Sequence, residues 1–93
     1  MTREEDELVA SIGSSINFLQ KQVKAVLPLI SDEINGIVNQ KIDDPKKIES
    51  ILDQLLDFSM LGLGLEQFEK LNQYYSSINS QAAKFYDQQY HQL

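Results

Sequence analysis

Residues 51–65, ILDQLLDFSMLGLGL, hold nine large apolar side chains in fifteen positions, together with two glycines. In a helix these side chains would cover most of the circumference, which is wider than the stripe that one neighbouring helix can bury. At least two neighbours are therefore needed. The stretch predicts a helical bundle, formed either within one chain or between chains.

A long apolar pattern precedes this stretch. Over residues 12–30 the apolar side chains recur at alternating intervals of four and three positions, the heptad spacing of helices that pack side by side. Thr2 and Glu5 form a capping-box pattern, so we expect one helix over residues 2–42. Pro28 lies inside that helix and predicts a kink, because proline removes a backbone donor and its ring meets the preceding turn.

The clearest turn signal follows at Asp44 and Pro45. Asp44 is a good N-cap and Pro45 suits the first helical position, so we expect the chain to reverse here and a second helix to cover residues 45–61. Gly62 and Gly64 then predict either a bend or a loop. The three-four alternation resumes afterwards and predicts a third helix over residues 65–91.

Pro28 and the two glycines lie at similar distances from the turn, so an antiparallel hairpin would place them opposite each other. Residues 29–42 would then pair with 45–61, and residues 2–27 with 65–91. Such a hairpin alone leaves too much apolar surface in water. We therefore expect a single all-α domain, in which a long kinked N-terminal helix forms an antiparallel hairpin with two further helices and homodimerisation completes the bundle. A compact monomeric three- or four-helix bundle is the alternative.

Composition limits the partners and the compartment. Fourteen Asp and Glu against eight Lys and Arg give a formal charge of −6, which argues against nucleic acid and anionic membranes as partners. The apolar positions are patterned and never form a run of the ~18 to 20 residues that a membrane span requires. The acidic N-terminus does not resemble an export signal, so we expect a cytoplasmic protein.

The sequence gives little support for catalysis. It has no cysteine and a single histidine, His91, next to the C-terminal end, so we expect no buried Ser-His-Asp arrangement. The spaced carboxylates Asp53 with Asp57 and Glu66 with Glu69 interrupt apolar runs where the outward face should lie. We therefore predict a protein without enzymatic activity, and expect no catalytic residue, cofactor or metal ion.

Six of the eight aromatic residues fall in the predicted third helix. Tyr75 continues its apolar line and is expected in the core, whereas Tyr74, Tyr86 and Tyr90 lie beside that line and suit a protein interface. We predict structural roles for Pro28, Asp44, Pro45, Gly62 and Gly64. The predicted interface residues are Ile12, Ile16, Leu19, Val23, Phe58, Leu61, Phe68, Tyr74, Tyr75, Tyr86 and Tyr90.

The favoured function is that of a small acidic helical protein that self-associates, as a homodimer, and docks an unidentified protein partner. One alternative is an acidic inhibitor or immunity-type protein that blocks a basic partner, and its binding would weaken with salt. A metal-binding bundle enzyme is the third hypothesis.

Overall fold

Helices account for most of the chain. The structure, a computed structural model, describes the backbone of residues 3–92 and the side chains of residues 17–92. Helix α1 spans Arg3–Asn39, α2 Pro45–Ser59, α3 Leu65–Ile78 and α4 Ser80–His91. The predicted all-α class is confirmed. The capping box predicted for Thr2 and Glu5 lies outside the described residues.

Helix α1 runs through Pro28 as one element, and the kink predicted there stays a prediction. The helix ends at Asn39, three residues earlier than expected. Lys41 then takes a left-handed conformation with φ of 53°, and the Ile42 N–H donates to the Ile37 carbonyl at 3.0 Å. This six-to-one hydrogen bond around a left-handed residue is a Schellman motif. Its left-handed position, here Lys41, is normally glycine.

The start of α2 follows the sequence prediction. Asp44 has extended backbone angles and its carboxylate accepts a hydrogen bond from the Lys46 N–H at 3.1 Å, while Pro45 occupies the first helical position. Residues 60–64 after α2 form a loop in which Gly62 and Gly64 have φ of 74° and 79°. Positive φ is accessible to glycine at little cost. Of the two predicted alternatives, a bend or a loop, the structure has the loop.

This glycine loop lies opposite the middle of α1, as the hairpin predicts. A Cβ placed on Gly64 would lie 3.6 Å from Cδ2 of Leu27, the residue before Pro28. The Gln20 side-chain amide also donates to the Leu61 carbonyl at 3.3 Å. Helix α2 therefore runs antiparallel to the second half of α1.

The expected pairing of residues 2–27 with 65–91 is wrong. Gln67 on α3 donates to Ser31 Oγ at 3.1 Å, and the Tyr74 hydroxyl donates to the Ile42 carbonyl at 2.9 Å. Helix α3 therefore lies parallel to the second half of α1. The reason is the glycine loop, which reverses the chain and returns α3 along α2 instead of continuing past it.

The single helix expected over residues 65–91 is also corrected, because Asn79 divides it. Asn79 is non-helical, with φ of −145°, and its side chain accepts a hydrogen bond from the Ala82 N–H at 3.1 Å, capping α4. Helix α4 then folds back antiparallel to α3, where the Asn72 amide donates to the Ala83 carbonyl at 2.9 Å. Asparagine prefers this cap position because its side chain satisfies a free backbone donor.

The core lies between α2, α3, α4 and the second half of α1. Helix α2 packs against both α3 and α4, so the prediction of at least two neighbours for residues 51–65 is confirmed. This arrangement is a helical bundle within one chain, while homodimerisation stays a prediction. The core side chains are Ile30, Ile34, Ile37, Ile48, Ile51, Leu52, Leu55, Phe68, Leu71, Tyr75, Ala83 and Tyr86.

No helix in residues 3–92 combines the length and apolar character needed to cross a membrane.

Candidate interaction surface

Helix α1 is much longer than the helices that pack against it. It has 37 residues, against 15, 14 and 12 in the other three. At 1.5 Å per residue α1 is about 55 Å long, which accounts for the 56 Å long axis of the molecule. The bundle therefore covers only part of α1, and the N-terminal part of the helix extends beyond it.

Large apolar side chains are exposed where α1 leaves the bundle. Phe18 is 61% exposed, Leu19 48%, Val26 38% and Leu29 68%. Single exposed apolar residues are normal on protein surfaces, but four within three turns of one helix form a patch. Apolar patches of this kind are often binding surfaces, which makes this part of α1 a candidate interaction surface.

These side chains follow a regular line on the helix. Phe18, Gln22, Ala25 and Leu29 are spaced by four, three and four residues and are all exposed, so they lie along one side of α1. We call these four residues the α1 stripe. Leu19 and Val26 lie on one flank of the stripe, here the leucine-valine flank, and Lys21 and Pro28 lie on the other, the lysine-proline flank.

The α1 stripe is distinct from the side of α1 that faces the bundle. Val23, Ile30, Ile34 and Ile37 are buried; the first two belong to the heptad line over residues 12–30, and the last two continue it toward the end of the helix. The stripe follows a second line, displaced around the helix from the first. Exposed Asp32 and Glu33 bound it on the C-terminal side.

The residues predicted for an interface are distributed unevenly. Val23, Phe68, Tyr75 and Tyr86 are buried within this chain and leave almost no surface for a partner. The side chains of Ile12 and Ile16 lie outside the described residues. Leu19 is exposed, and Phe58, Leu61, Tyr74 and Tyr90 are partly buried.

Two tyrosines hold the bundle together through carboxylates on α2. The Tyr75 hydroxyl donates to Glu49, and the Tyr86 hydroxyl donates to Asp53 at 2.8 Å. Glu49 and Asp53 are one helical turn apart, so they reach α3 and α4 from the same side of α2. The two hydrogen bonds thus link α3 and α4 to α2.

Burial is the main cause of the raised pKa values of Tyr75 and Tyr86. Burial raises the pKa of Tyr75 to about 12, with the hydrogen bond to Glu49 and its charge adding to the shift. Burial likewise raises the pKa of Tyr86, with Asp53 contributing in the same way. Both hydroxyls therefore stay protonated at neutral pH and act as donors, which suits a structural role and not that of a base.

The aromatic residues of α3 and α4 also pack on one another. The rings of Phe68 and Tyr90 stack with centroids 4.7 Å apart and an angle of 13° between their planes. The Tyr74 hydroxyl is hydrogen-bonded to the Ile42 carbonyl in the turn after α1. These contacts explain why the tyrosines beside the main apolar line are held within the bundle.

The remaining polar groups do not converge on a reactive site. The carboxylates expected at the surface, Asp53, Asp57, Glu66 and Glu69, are all exposed. His91 lies 3.4 Å from the Asp87 carboxylate, with both side chains largely exposed. Within the residues that the structure describes, no three His, Cys, Asp or Glu side chains are grouped to hold a metal ion.

The groove between α3 and α4 contains one unsatisfied polar atom. Asn72 lines the groove, and among the described residues its Oδ1 is buried without a hydrogen-bond partner while its Nδ2 is paired. This oxygen has almost no exposed area in the present arrangement.

Phe18 and Leu29, the two ends of the α1 stripe, were not among the residues predicted for an interface. The signal was present, because their spacing with Gln22 and Ala25 repeats the four-three-four pattern. The heptad line over residues 12–30 is the stronger pattern and lies next to the stripe. Gln22 and Ala25 also lower the apolar character of the stripe. Only the structure tells which of the two lines the chain's own bundle buries.

Comparison of the chain with protein-family models, with curated proteins and with solved structures finds no match.

Proposed function

We propose that this protein acts by protein-protein interaction without catalysis, that the α1 stripe and its leucine-valine flank form the docking surface, and that a second copy of the chain is the partner. The mechanism is the packing of one helix face on another. The observation that carries the proposal is the group of four large exposed apolar side chains, Phe18, Leu19, Val26 and Leu29.

The free energy available from this surface is substantial. A large apolar side chain contributes about 2 kcal/mol when fully buried. Covering the exposed fractions of Phe18, Leu19, Val26 and Leu29 is then worth about 4 kcal/mol per chain, or about 8 kcal/mol for two copies. A Kd of about 1 μM corresponds to a net binding free energy of about 8 kcal/mol, and the cost of association must be met in addition. Contacts along the rest of α1 are needed to meet that cost.

The extension of α1 past its own bundle supports a second copy of the chain as the partner. The surface lies on a helix that extends past its own bundle, so another helix can approach it without displacing α2, α3 or α4. A line with four-three-four spacing packs against an equivalent line. A second copy supplies such a line at equal concentration.

The test introduces charge into the stripe and compares sedimentation. In the double variant Phe18→Glu/Leu29→Glu, self-association should weaken by at least about two orders of magnitude, because the apolar contribution is lost and carboxylates are desolvated. Phe85→Glu is the matched control, since Phe85 lies on α4 and is 55% exposed. It should sediment as the unmodified chain does.

Circular dichroism of each variant checks that the helices remain folded, which is expected for exposed positions. If the double variant and the unmodified chain have the same association constant, the α1 stripe is not the docking surface.

A further inference from the structure

We propose that two copies pair antiparallel through the α1 stripe, with Phe18 opposite Leu29 of the second copy and Gln22 opposite Ala25 of the second copy. This inference rests on the proposed self-association and adds to it the direction and the register of the two helices. Three observations define this arrangement, and the last two favour it over a parallel one.

The first observation is the symmetry of the stripe. The intervals of four, three and four residues between Phe18, Gln22, Ala25 and Leu29 are the same in either direction along the chain. Two antiparallel copies related by a twofold axis then align all four positions, and each contact occurs twice. The spacing therefore sets the register, with the two stripes aligned over their full length.

The second observation is the difference between the two flanks. A twofold axis across the helices brings each flank of the stripe against the same flank of the second copy. Antiparallel pairing thus places Leu19 against Val26 of the second copy, and both are exposed apolar side chains. Parallel pairing places Val26 against Pro28 of the second copy and Leu19 against Lys21 of the second copy, and burying Leu19 against a lysine is less favourable.

The third observation is the charge distribution along α1. Sequence positions 4–7 are all acidic and lie near the start of the helix, whereas the turn after its end exposes Lys41, Lys46 and Lys47 against Asp43 and Asp44 and has a small positive excess. In the antiparallel register, positions 4–7 lie beside that turn of the second copy. Parallel pairing would instead place the two acidic segments side by side, and like charges at short range repel.

The buried area is adequate only if the pairing extends along the helix. In this register residues 8–39 of the two copies overlap, a length of about 48 Å, and exposed Asp32 and Glu33 lie on the two edges of the contact, where their carboxylates can stay in water. A contact strip about 10 Å wide hides about 500 Å² of each copy, or about 1,000 Å² in total, the lower limit for a specific interface. The stripe alone, about 16 Å long, would hide about a third of that area.

Disulfide trapping tests the register, and the absence of native cysteine gives a clean background. Gln22→Cys and Ala25→Cys are made as separate full-length variants at exposed positions, one with a short C-terminal tag so that the three possible dimers separate on a gel. Each is oxidised alone and after mixing. In the antiparallel register position 22 is opposite position 25, whereas like positions are offset along the axis by about 4.5 Å, which together with the distance between the helices brings their Cα atoms to about 7 Å, the upper limit of disulfide geometry.

The expected result is a mixed disulfide dimer at least about tenfold more abundant than either homodimer. Efficient trapping of each variant alone would overturn the inference in favour of parallel pairing and leave self-association intact. Dimers by sedimentation without any trapping would overturn the register by placing the interface elsewhere. Monomers by sedimentation without trapping would overturn the proposed function as well.

Discussion

Alanine substitution at Gly64 and at Gly62 separates two costs in the loop between α2 and α3. Both glycines have positive φ, where an L-residue loses about 1–2 kcal/mol. At Gly62 a new Cβ would meet no atom within 4 Å, so only this backbone cost applies. At Gly64 the Cβ would lie 3.1 Å from Leu55 Cδ2 and 3.6 Å from Phe58 Cβ.

Leu55 is fully buried in the core and has little room to move. Crowding of this kind in a packed core costs a further ~1–3 kcal/mol. We therefore expect Gly62→Ala to lower the free energy of unfolding by about 1–2 kcal/mol and Gly64→Ala to lower it by about 2–5 kcal/mol.

Urea unfolding followed by circular dichroism measures both values, with all samples at one protein concentration because self-association would add to the apparent stability. Gly62→Ala serves as the matched control for the backbone term. Equal losses in the two variants, or a larger loss at Gly62, would refute the packing described for the Gly64 loop.

Three further changes test other parts of the bundle. Lys41→Gly should raise the free energy of unfolding by about 1 kcal/mol, because Lys41 holds a left-handed conformation that glycine adopts at little cost; an unchanged melting temperature would contradict this. Asn79→Ala should lower stability by about 1 kcal/mol through loss of the α4 cap, and Asn79→Gly by only a few tenths; similar losses would argue against a side-chain cap. The contribution of Tyr75 to stability should be constant below about pH 10 and fall between pH 10 and about 12, because the pKa of Tyr75 is raised from 10.0 to about 12 in the folded state and ionisation then favours the unfolded chain. In Tyr75→Phe/Tyr86→Phe the alkaline fall should be shallower, as seen in urea titrations at each pH; an identical profile would show that the buried phenols do not control it.

The sequence alone predicts the elements that depend on local chemistry. Asp44 and Pro45 predict the start of α2, because the Asp44 side chain can cap the helix and Pro45 has a fixed φ. Gly62 and Gly64 predict the loop after it. The density of apolar residues in 51–65 correctly requires two neighbours for that helix. Each of these inferences depends on a few adjacent residues, which is why no tertiary information is needed.

The path of the chain after Gly64 was less predictable. Asn79 interrupts a three-four apolar pattern that continues on both sides, and its role as a cap becomes evident only when α4 is seen to fold back. The pairing of α3 with the second half of α1 depends on the direction in which the glycine loop leaves α2. Periodicity gives the face of a helix and not its direction in space.

The candidate surface was predicted in part. Leu19 was expected at an interface and is exposed, whereas Val23 on the same line is buried by the chain's own bundle. Heptad spacing predicts that a helix will be covered, but it does not tell whether the cover comes from the same chain. Tyr86 similarly suited an interface by position and is held internally by Asp53.

The most direct test of self-association is the mass of the unmodified chain by sedimentation equilibrium, at loading concentrations from about 1 to about 100 μM. The exposed α1 stripe predicts a weight-average mass that rises with concentration toward twice 10.6 kDa. A mass of 10.6 kDa at every concentration, from a chain that circular dichroism finds fully helical, would contradict it.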